Sequence, residues 1–335
     1  MLASSTGVIM SMLCGDIGGT KTRIARCEAE GGAVRIVREE VYPSQEYDSL
    51  DRIVAQFLRD EPAPCAQACF GIAGPVHDKR SETTNLPWVV DANELESNLG
   101  IARVQLLNDL EANAWGISAL QREDFFSLQE GAPEPTGNAC IIAAGTGLGQ
   151  AGLYWDGNRH VPFATEGGHT DFSPASDLEW SLYQHLSKQF GHVSWERVVS
   201  GMGIVNIHRF LNGLRGVRVP DWLAQEMREG DAAAAISKAA GDARCPVCEE
   251  VMALFGRLYG REAGNQALKL MATGGVYLGG GIAPKNLALF RRPAFLEAFI
   301  AKGRMEPLMR RMPVRIILND RAALFGPAIY LAARP

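Results

Sequence analysis

Two short segments, Gly15-Asp16-Ile17-Gly18-Gly19-Thr20 and Gly145-Thr146-Gly147-Leu148-Gly149, decide how this chain is read. Each follows an apolar run, residues 8–14 in the first case and 139–144 in the second. A glycine turn lets backbone N–H groups approach a phosphate, because no Cβ stands in the way and positive φ is open. Two such turns, one holding a carboxylate (Asp16) that can serve a metal ion, point to two halves acting on one polyphosphate. Between them, Leu107-Asn108-Asp109 sets a carboxylate at the end of a third apolar run, residues 104–107. Phosphoryl transfer to a hydroxyl is the chemistry this pattern suggests.

The residues after the first turn narrow the fold. Lys21-Thr22-Arg23-Ile24-Ala25-Arg26 alternates polar and apolar, as a strand does. A dinucleotide fold needs a helix at that point, which argues against nicotinamide-dinucleotide binding despite the glycines. Working outward, strands are expected at 12–16, 21–27, 34–41, 66–72 and 104–108, with helices at 50–58 and 110–120. Asp91-Ala92-Asn93-Glu94 has the form of a capping box before a short helix ending near Gly100. The unit of strand, glycine turn and strand recurs at 139–155, which suggests an internal duplication. Helices follow at 175–190, 196–200, 204–211 and 246–272. A buried strand at 275–278 runs into Gly279-Gly280-Gly281, and the chain closes with a strand at 314–318 and a helix at 322–333, interrupted at Gly326-Pro327. No low-complexity linker separates these parts.

At 335 residues the chain can hold two domains. A formal charge of −5 argues against non-specific nucleic-acid binding, which needs basic patches. No apolar run reaches membrane-spanning length, and the N-terminus lacks the basic start of a signal peptide, so the cytoplasm is the default location. Residues 1–8 read as a ragged extension. Of seven cysteines, Cys14, Cys27, Cys69 and Cys140 fall in apolar strands and read as buried, reduced thiols. Cys245-Pro246-Val247-Cys248 has metal spacing but no second pair to complete four ligands, so it reads as a helix start and no zinc is expected.

In chain order, Gly15–Thr20, Leu107-Asn108-Asp109, Gly145–Gly149, Glu166-Gly167-Gly168-His169-Thr170-Asp171, Gly191–Gly201 and Gly274–Ile282 resemble the motif set of the bacterial glucokinases. The resemblance runs from about Cys14 to about Pro327. It implies the two-domain α/β fold of the actin-like ATPases (ribonuclease H-like). A small α/β domain is expected at 1–120 plus 310–335, a larger helix-rich α/β domain at 121–309, and a cleft between them. It implies ATP-dependent phosphorylation of glucose to glucose 6-phosphate, with Mg²⁺, by a cytoplasmic homodimer. The expected partners are glucose and ATP, with no nucleic acid and no membrane.

The resemblance also gives the residues roles. Asp109 becomes the general base; from local sequence it is equally a helix N-cap. Asn108 would bond a neighbouring sugar hydroxyl. Glu166, His169 and Glu196 would hold the sugar, since a carboxylate's two acceptor oxygens suit adjacent O–H donors. Read without the resemblance, they are an ordinary polar loop and an exposed helix face. Gly15, Asp16, Ile17, Gly18, Gly19 and Thr20, with Gly145, Thr146 and Gly147, would hold the phosphates, and Gly279, Gly280 and Gly281 the adenosine. Asp16 would reach Mg²⁺ through water. Asp109 falls in the first expected domain and the sugar-holding carboxylates in the second, so sugar is expected to draw the domains together. A related repressor-and-kinase family carries a cysteine-rich zinc motif after its Glu-x-Gly-His. Here Thr170-Asp171-Phe172-Ser173-Pro174 follows, and His169 is not expected to bind zinc. A kinase for mannose, fructose or an N-acetylhexosamine remains an alternative, as does a non-catalytic sugar sensor, which would lack the base.

Overall fold

Strand β1 (Met10–Ile17) buries Met12, Leu13, Cys14 and Ile17 and is the middle of a sheet. The turn Gly18-Gly19-Thr20 folds it back onto β2 (Lys21–Glu30), which pairs in turn with β3 (Ala33–Pro43). Helix α1 (Leu50–Arg59) buries Leu50, Ile53, Val54 and Phe57, the spacing of one helical face. It leads to β4 (Gln67–Ile72), which runs parallel to β1 on its other side. Strands β5 (Val76–His77), β6 (Arg80–Glu82) and β7 (Val89–Asp91) form a small separate sheet. Asp91 then caps α2 (Ala92–Leu99) by accepting the N–H groups of Asn93 and Glu94, and Gly100 ends it at φ +67°. Strand β8 (Arg103–Asn108) completes the order β3-β2-β1-β4-β8 and passes directly into α3 (Asp109–Gly116). The computed structural model describes residues 10–31, 33–59, 65–83 and 86–334; the extension read at 1–8 lies outside them.

The second sheet is built the same way. Its strands are β9 (Phe125–Gln129), β10 (Ala139–Ala144), β11 (Leu148–Trp155) and β12 (His160–Thr165). Helices α4 (Asp177–Phe190), α5 (Gly201–Arg215), α6 (Asp221–Glu229), α7 (Ala232–Gly241) and α8 (Pro246–Leu270) follow, then β13 (Gly275–Gly279). Short helices α9 (Ile282–Lys285), α10 (Leu287–Phe290), α11 (Pro293–Ile300) and α12 (Glu306–Arg311) lead to β14 (Val314–Ile317). The order is β12-β11-β10-β13-β14-β9. Strand β10 is antiparallel to β11 and parallel to β13, as β1 is antiparallel to β2 and parallel to β4. The duplication read from the glycine turns is therefore a duplication of strand pairing.

Contacts divide the chain into two units. One holds the described residues through Asp124, Pro162–Ala164 and the residues from Asn319 on; the other holds Phe125–Val161 and Thr165–Leu318. Their cores are separate. Leu13, Ile24, Phe57, Phe70 and Leu95 belong to the first, and Ile142, Trp195, Phe255, Leu278 and Ile316 to the second. All seven cysteines are buried and none is in a disulfide, Cys245 serving as the cap that accepts Cys248 N–H at the start of α8. Among the described residues no helix is long and apolar enough to cross a membrane.

Three local readings differ from the structure. Residues 314–318 were grouped with the first domain, but β14 pairs in parallel with β13, Val276 opposite Val314. Its buried Val314, Ile316 and Ile317 need a sheet neighbour, which β13 supplies. Residues 196–200 form no α-helix; a single 3-10 turn spans Trp195–Arg197. The closing helix α13 (Ala322–Ala332) runs through Gly326-Pro327 unbroken. There the two glycines Gly116 and Gly326 let α3 and α13 pack backbone to backbone. A Cβ on Gly326 would overlap Ala112 O, and one on Gly116 would overlap Ala322 O.

That close approach makes a stability test. Gly326→Ala should lower the urea midpoint of unfolding by the equivalent of about 1–3 kcal/mol, the usual cost of overpacking, although alanine is the better helix former. An unchanged or higher midpoint would show that α3 and α13 have room to separate.

Candidate functional site

In the first unit the site elements meet at one end of the strands, where β1, β4 and β8 finish. Asp16 and Arg23 face each other across the β1–β2 ladder, and Ile72 of β4 lies beside Asn108 of β8. Gly15 must be glycine for packing, since a Cβ there would come 2.7 Å from Phe70 Cδ1. Ile17 is buried. The turn Gly18-Gly19-Thr20 is closed by Gly18 N–H donating to Lys21 O (3.0 Å). Ser44, to which the sequence reading gave no role, clamps it: Ser44 Oγ donates to Gly18 O (2.7 Å) and Ser44 N–H to Thr20 O (3.0 Å). No local pattern marks Ser44, because its partners lie across a strand pair.

Asn108, not Asp109, is the N-cap of α3. Its Oδ1 accepts from Leu110 N–H (3.0 Å) and Glu111 N–H (3.3 Å), while its Nδ2 donates to Gly74 O (3.2 Å). The capping duty that competed for Asp109 is thus taken by its neighbour. Asp109 Oδ1 accepts Leu110 N–H at 2.8 Å, which fixes the carboxylate at the strand–helix junction. Its charge reaches Asp16. Burial, and then the Asp109 carboxylate, push the Asp16 carboxyl up to about 6, against the opposing pull of Arg23. Arg23 is itself paired with Asp320. The hairpin register could have pointed to Arg23; Asp320 follows β14 in sequence and was not foreseen. Among the described residues no three His, Cys, Asp or Glu side chains gather as a metal-holding group. The Asp16–Asp109 repulsion is what a divalent cation arriving with a ligand would relieve, so the residues present fit one there.

In the second unit two loops are stitched side by side. Trp195 N–H donates to Thr170 O (3.0 Å), Phe172 N–H donates to Val193 O (2.9 Å), and the Phe172 and Trp195 rings pack edge to face. This brings the turn Glu166-Gly167-Gly168-His169 beside Glu196. The Glu166 and His169 side chains are 71% and 61% exposed, with Oε2 and Nε2 3.9 Å apart. Glu196 Oε2 accepts Leu148 N–H (3.0 Å), and a Cβ on Gly147 would sit 2.5 Å from that oxygen. The second glycine turn and the carboxylate loop, far apart in sequence, are therefore in direct contact.

The same turn borders a cavity of about 1250 Å³ lying wholly within this unit. Gly145, Thr146, Gly201, Ser237, Gly281 and Asn286 are among its lining residues. Gly201 N–H donates to Gly145 O (2.8 Å), seating the start of α5 against the turn. Gly280 adopts φ +75° with its α-carbon against the Ala144 carbonyl, a conformation and a distance that suit only glycine. Lys238 and Lys285 add positive charge to the lining. Helices α5 and α7 supply much of this wall, and their residues carry no motif.

The glucokinase family model matches residues 13–334. A glucokinase of Nostoc punctiforme is 43% identical over 96% of this chain and 98% of its own length. One from a Synechocystis species is 41% identical over the same shares. Among solved structures, the glucokinase of an Antarctic psychrotroph superposes with a TM-score of 0.84 at 28% identity, covering 96% of this chain and 99% of that one.

The raised Asp16 carboxyl has a measurable signature. Between its ordinary 3.8 and about 6 the folded chain keeps a proton that the unfolded chain releases. Stability therefore falls as pH rises through that window, and the penalty is complete above it. Asp16→Asn should be more stable than the parent at pH 8 by at most about 3 kcal/mol, the shift taken at about 1.4 kcal/mol per unit, and the gap should close near pH 4. Urea unfolding at both pH values measures this; an equal gap at the two would remove the buried-charge account.

Proposed function

The chain belongs to the glucokinase family, and on that premise we propose how its residues bring about ATP + glucose → glucose 6-phosphate + ADP. The carrying observation is the junction of β8 and α3. Asn108 caps the helix, so the Asp109 carboxylate is held at the strand end for another task. Asp109 takes the proton of the sugar hydroxyl as that oxygen attacks the γ-phosphorus; the bond from phosphorus to the ADP oxygen breaks and ADP leaves.

Asn108, Asp109, Glu166, His169 and Glu196 are the residues assigned to glucose. Asn108 keeps one amide N–H for the sugar beyond the one it gives to Gly74 O. Glu196 spends one lone pair on Leu148 N–H and has its other oxygen for a hydroxyl. The phosphates lie against Gly15, Asp16, Ile17, Gly18, Gly19 and Thr20 and against Gly145, Thr146 and Gly147. The start of α5, behind Gly145, adds its partial positive charge. Gly281 lines the cavity and follows Gly279 and Gly280 in chain order, and these three glycines are assigned to the adenosine. Asp16 would hold Mg²⁺ arriving with ATP, by way of water, and the cation would supply neutralisation of phosphate charge there. A homodimer working in the cytoplasm is part of this proposal.

Two measurements test this. Asp109→Asn should lower kcat by at least about a hundredfold with glucose still bound; Glu166→Ala should weaken glucose by about 1–3 kcal/mol in calorimetry with ATP affinity nearly unchanged, and Glu196→Ala should weaken glucose by a similar amount while also releasing Leu148 N–H of the second glycine turn. Near-parent turnover in the first, or parent-like glucose affinity in both others, would overturn the assignment. Sedimentation equilibrium should give twice the 36.3 kDa chain mass, and a single-chain mass at micromolar concentration would exclude the dimer.

A further inference from the structure

Helix α8 carries a stripe of buried polar side chains, Tyr259, Glu262 and Gln266, at the spacing of one helical face. Tyr259 and Gln266 bond to main chain: Tyr259 OH donates to Ile142 O (3.0 Å), and Gln266 Nε2 donates to Ile141 O (3.0 Å) and Ala151 O (3.2 Å). These two fasten the helix to β10 and β11. Glu262 does something else. It is 0% exposed, and its Oε1 accepts a side-chain bond, from Gln150 Nε2 at 2.8 Å. Its Oε2 accepts from Asn265 Nδ2 (2.9 Å), whose Oδ1 in turn accepts a hydrogen bond from Lys302 Nζ (2.6 Å). A buried carboxylate is costly, and burial pushes this one up from its ordinary value. Fastening the helix does not need it, since an apolar residue between Tyr259 and Gln266 would pack there.

What Glu262 fixes is an amide. A carboxylate oxygen accepts, so Gln150 must turn its NH₂ toward α8 and its Oε1 the opposite way. On that opposite side lies Gly167. A Cβ there would overlap Gln150 Oε1, so the turn backbone rests directly on the amide. The main chain of Gln150 reaches the same turn: Thr165 Oγ1 donates to Gln150 O (2.9 Å), and Gly167 N–H donates to Thr165 Oγ1 (3.3 Å). Both ends of one residue therefore set where the segment Glu166–His169 begins. Glu166 and His169 are exposed and make few contacts of their own that would place them.

We propose that Glu262, acting through Gln150, is a positioning residue for the turn that presents Glu166 and His169 to the sugar. This rests on the reading of Glu166 as a glucose contact. The test is steady-state kinetics on the full chain, with glucose and ATP varied separately. Glu262→Leu and Gln150→Leu should raise KM for glucose about tenfold and leave kcat and KM for ATP within about twofold. Glu262→Gln, which keeps shape and one acceptor, should fall between these variants and the parent. Gln266→Leu, from the same stripe and equally buried, should lower Tm without moving KM for glucose. Combined with Glu166→Ala, Glu262→Leu should add little to the rise in KM for glucose, because both act through one turn.

A fall in Tm with glucose KM unchanged, or equal rises in both KM values, would reduce Glu262 to a core residue and overturn the proposal. So would full additivity with Glu166→Ala. If Glu262→Leu does not fold, Glu262→Gln carries the same test. If Glu166→Ala itself leaves glucose KM unchanged, the sugar assignment of the turn fails instead, and the two failures are told apart.

Discussion

A hydrogen bond of 3.0 Å from Leu148 N–H to Glu196 Oε2 ties the second glycine turn to the loop that carries the acidic side chains. Much of the second unit is arranged so that it can form. Gly147 must lack a Cβ, because that carbon would stand 2.5 Å from the same oxygen. The carboxylate loop is held in place by main-chain bonds from Trp195 to Thr170 and from Phe172 to Val193, over the fully packed Trp195 ring. The turn is held from behind by Gly201 at the start of α5. A charged acceptor gives a stronger and shorter bond than a neutral one. One carboxylate thereby sets the relative position of the turn proposed for the phosphates and the loop proposed for the sugar, two parts that such a reaction needs in close register.

The first unit solves the same problem with a division of polar work. Asn and Asp are both good helix caps, and both stand at the start of α3. Giving the cap to Asn108 leaves Asp109 fixed at the strand–helix junction, and burial, with the Asp109 carboxylate second, lifts the neighbouring Asp16 carboxyl. Two carboxylates set this close cost stability in the empty protein. Such strain is common where charge is kept ready for a ligand rather than for the fold.

The sequence made the strands beside the glycine turns legible because period-2 alternation and glycine punctuation coincide there; residues 139–144 and α1 fall where patterning put them. Strand β9 was missed because all of Phe125–Gln129 is half-buried and shows no alternation. The helix expected at 196–200 failed because Glu196 and Ser200 are used locally, Ser200 Oγ donating to Glu196 O and capping α5 instead. The break expected at Pro327 does not occur: α13 continues through it, with Gly326 packed closely against α3. Motif residues such as Asp109 and Glu166 stand out by type. Ser44, Gln150 and Glu262 do not, since their meaning lies in partners many residues away that only folding brings near.

The buried cysteines have a consequence for how this molecule can be watched. Each of the seven thiols is shielded, and burial also pushes those of Cys14, Cys69 and Cys140 up, away from the reactive thiolate. An alkylating reagent then finds no nucleophile until the surrounding packing opens. Cys14, Cys27, Cys65 and Cys69 sit in the first unit, and Cys140, Cys245 and Cys248 in the second. Peptide-resolved alkylation would therefore act as two built-in clocks, one per core, ticking at the rate at which each half breathes.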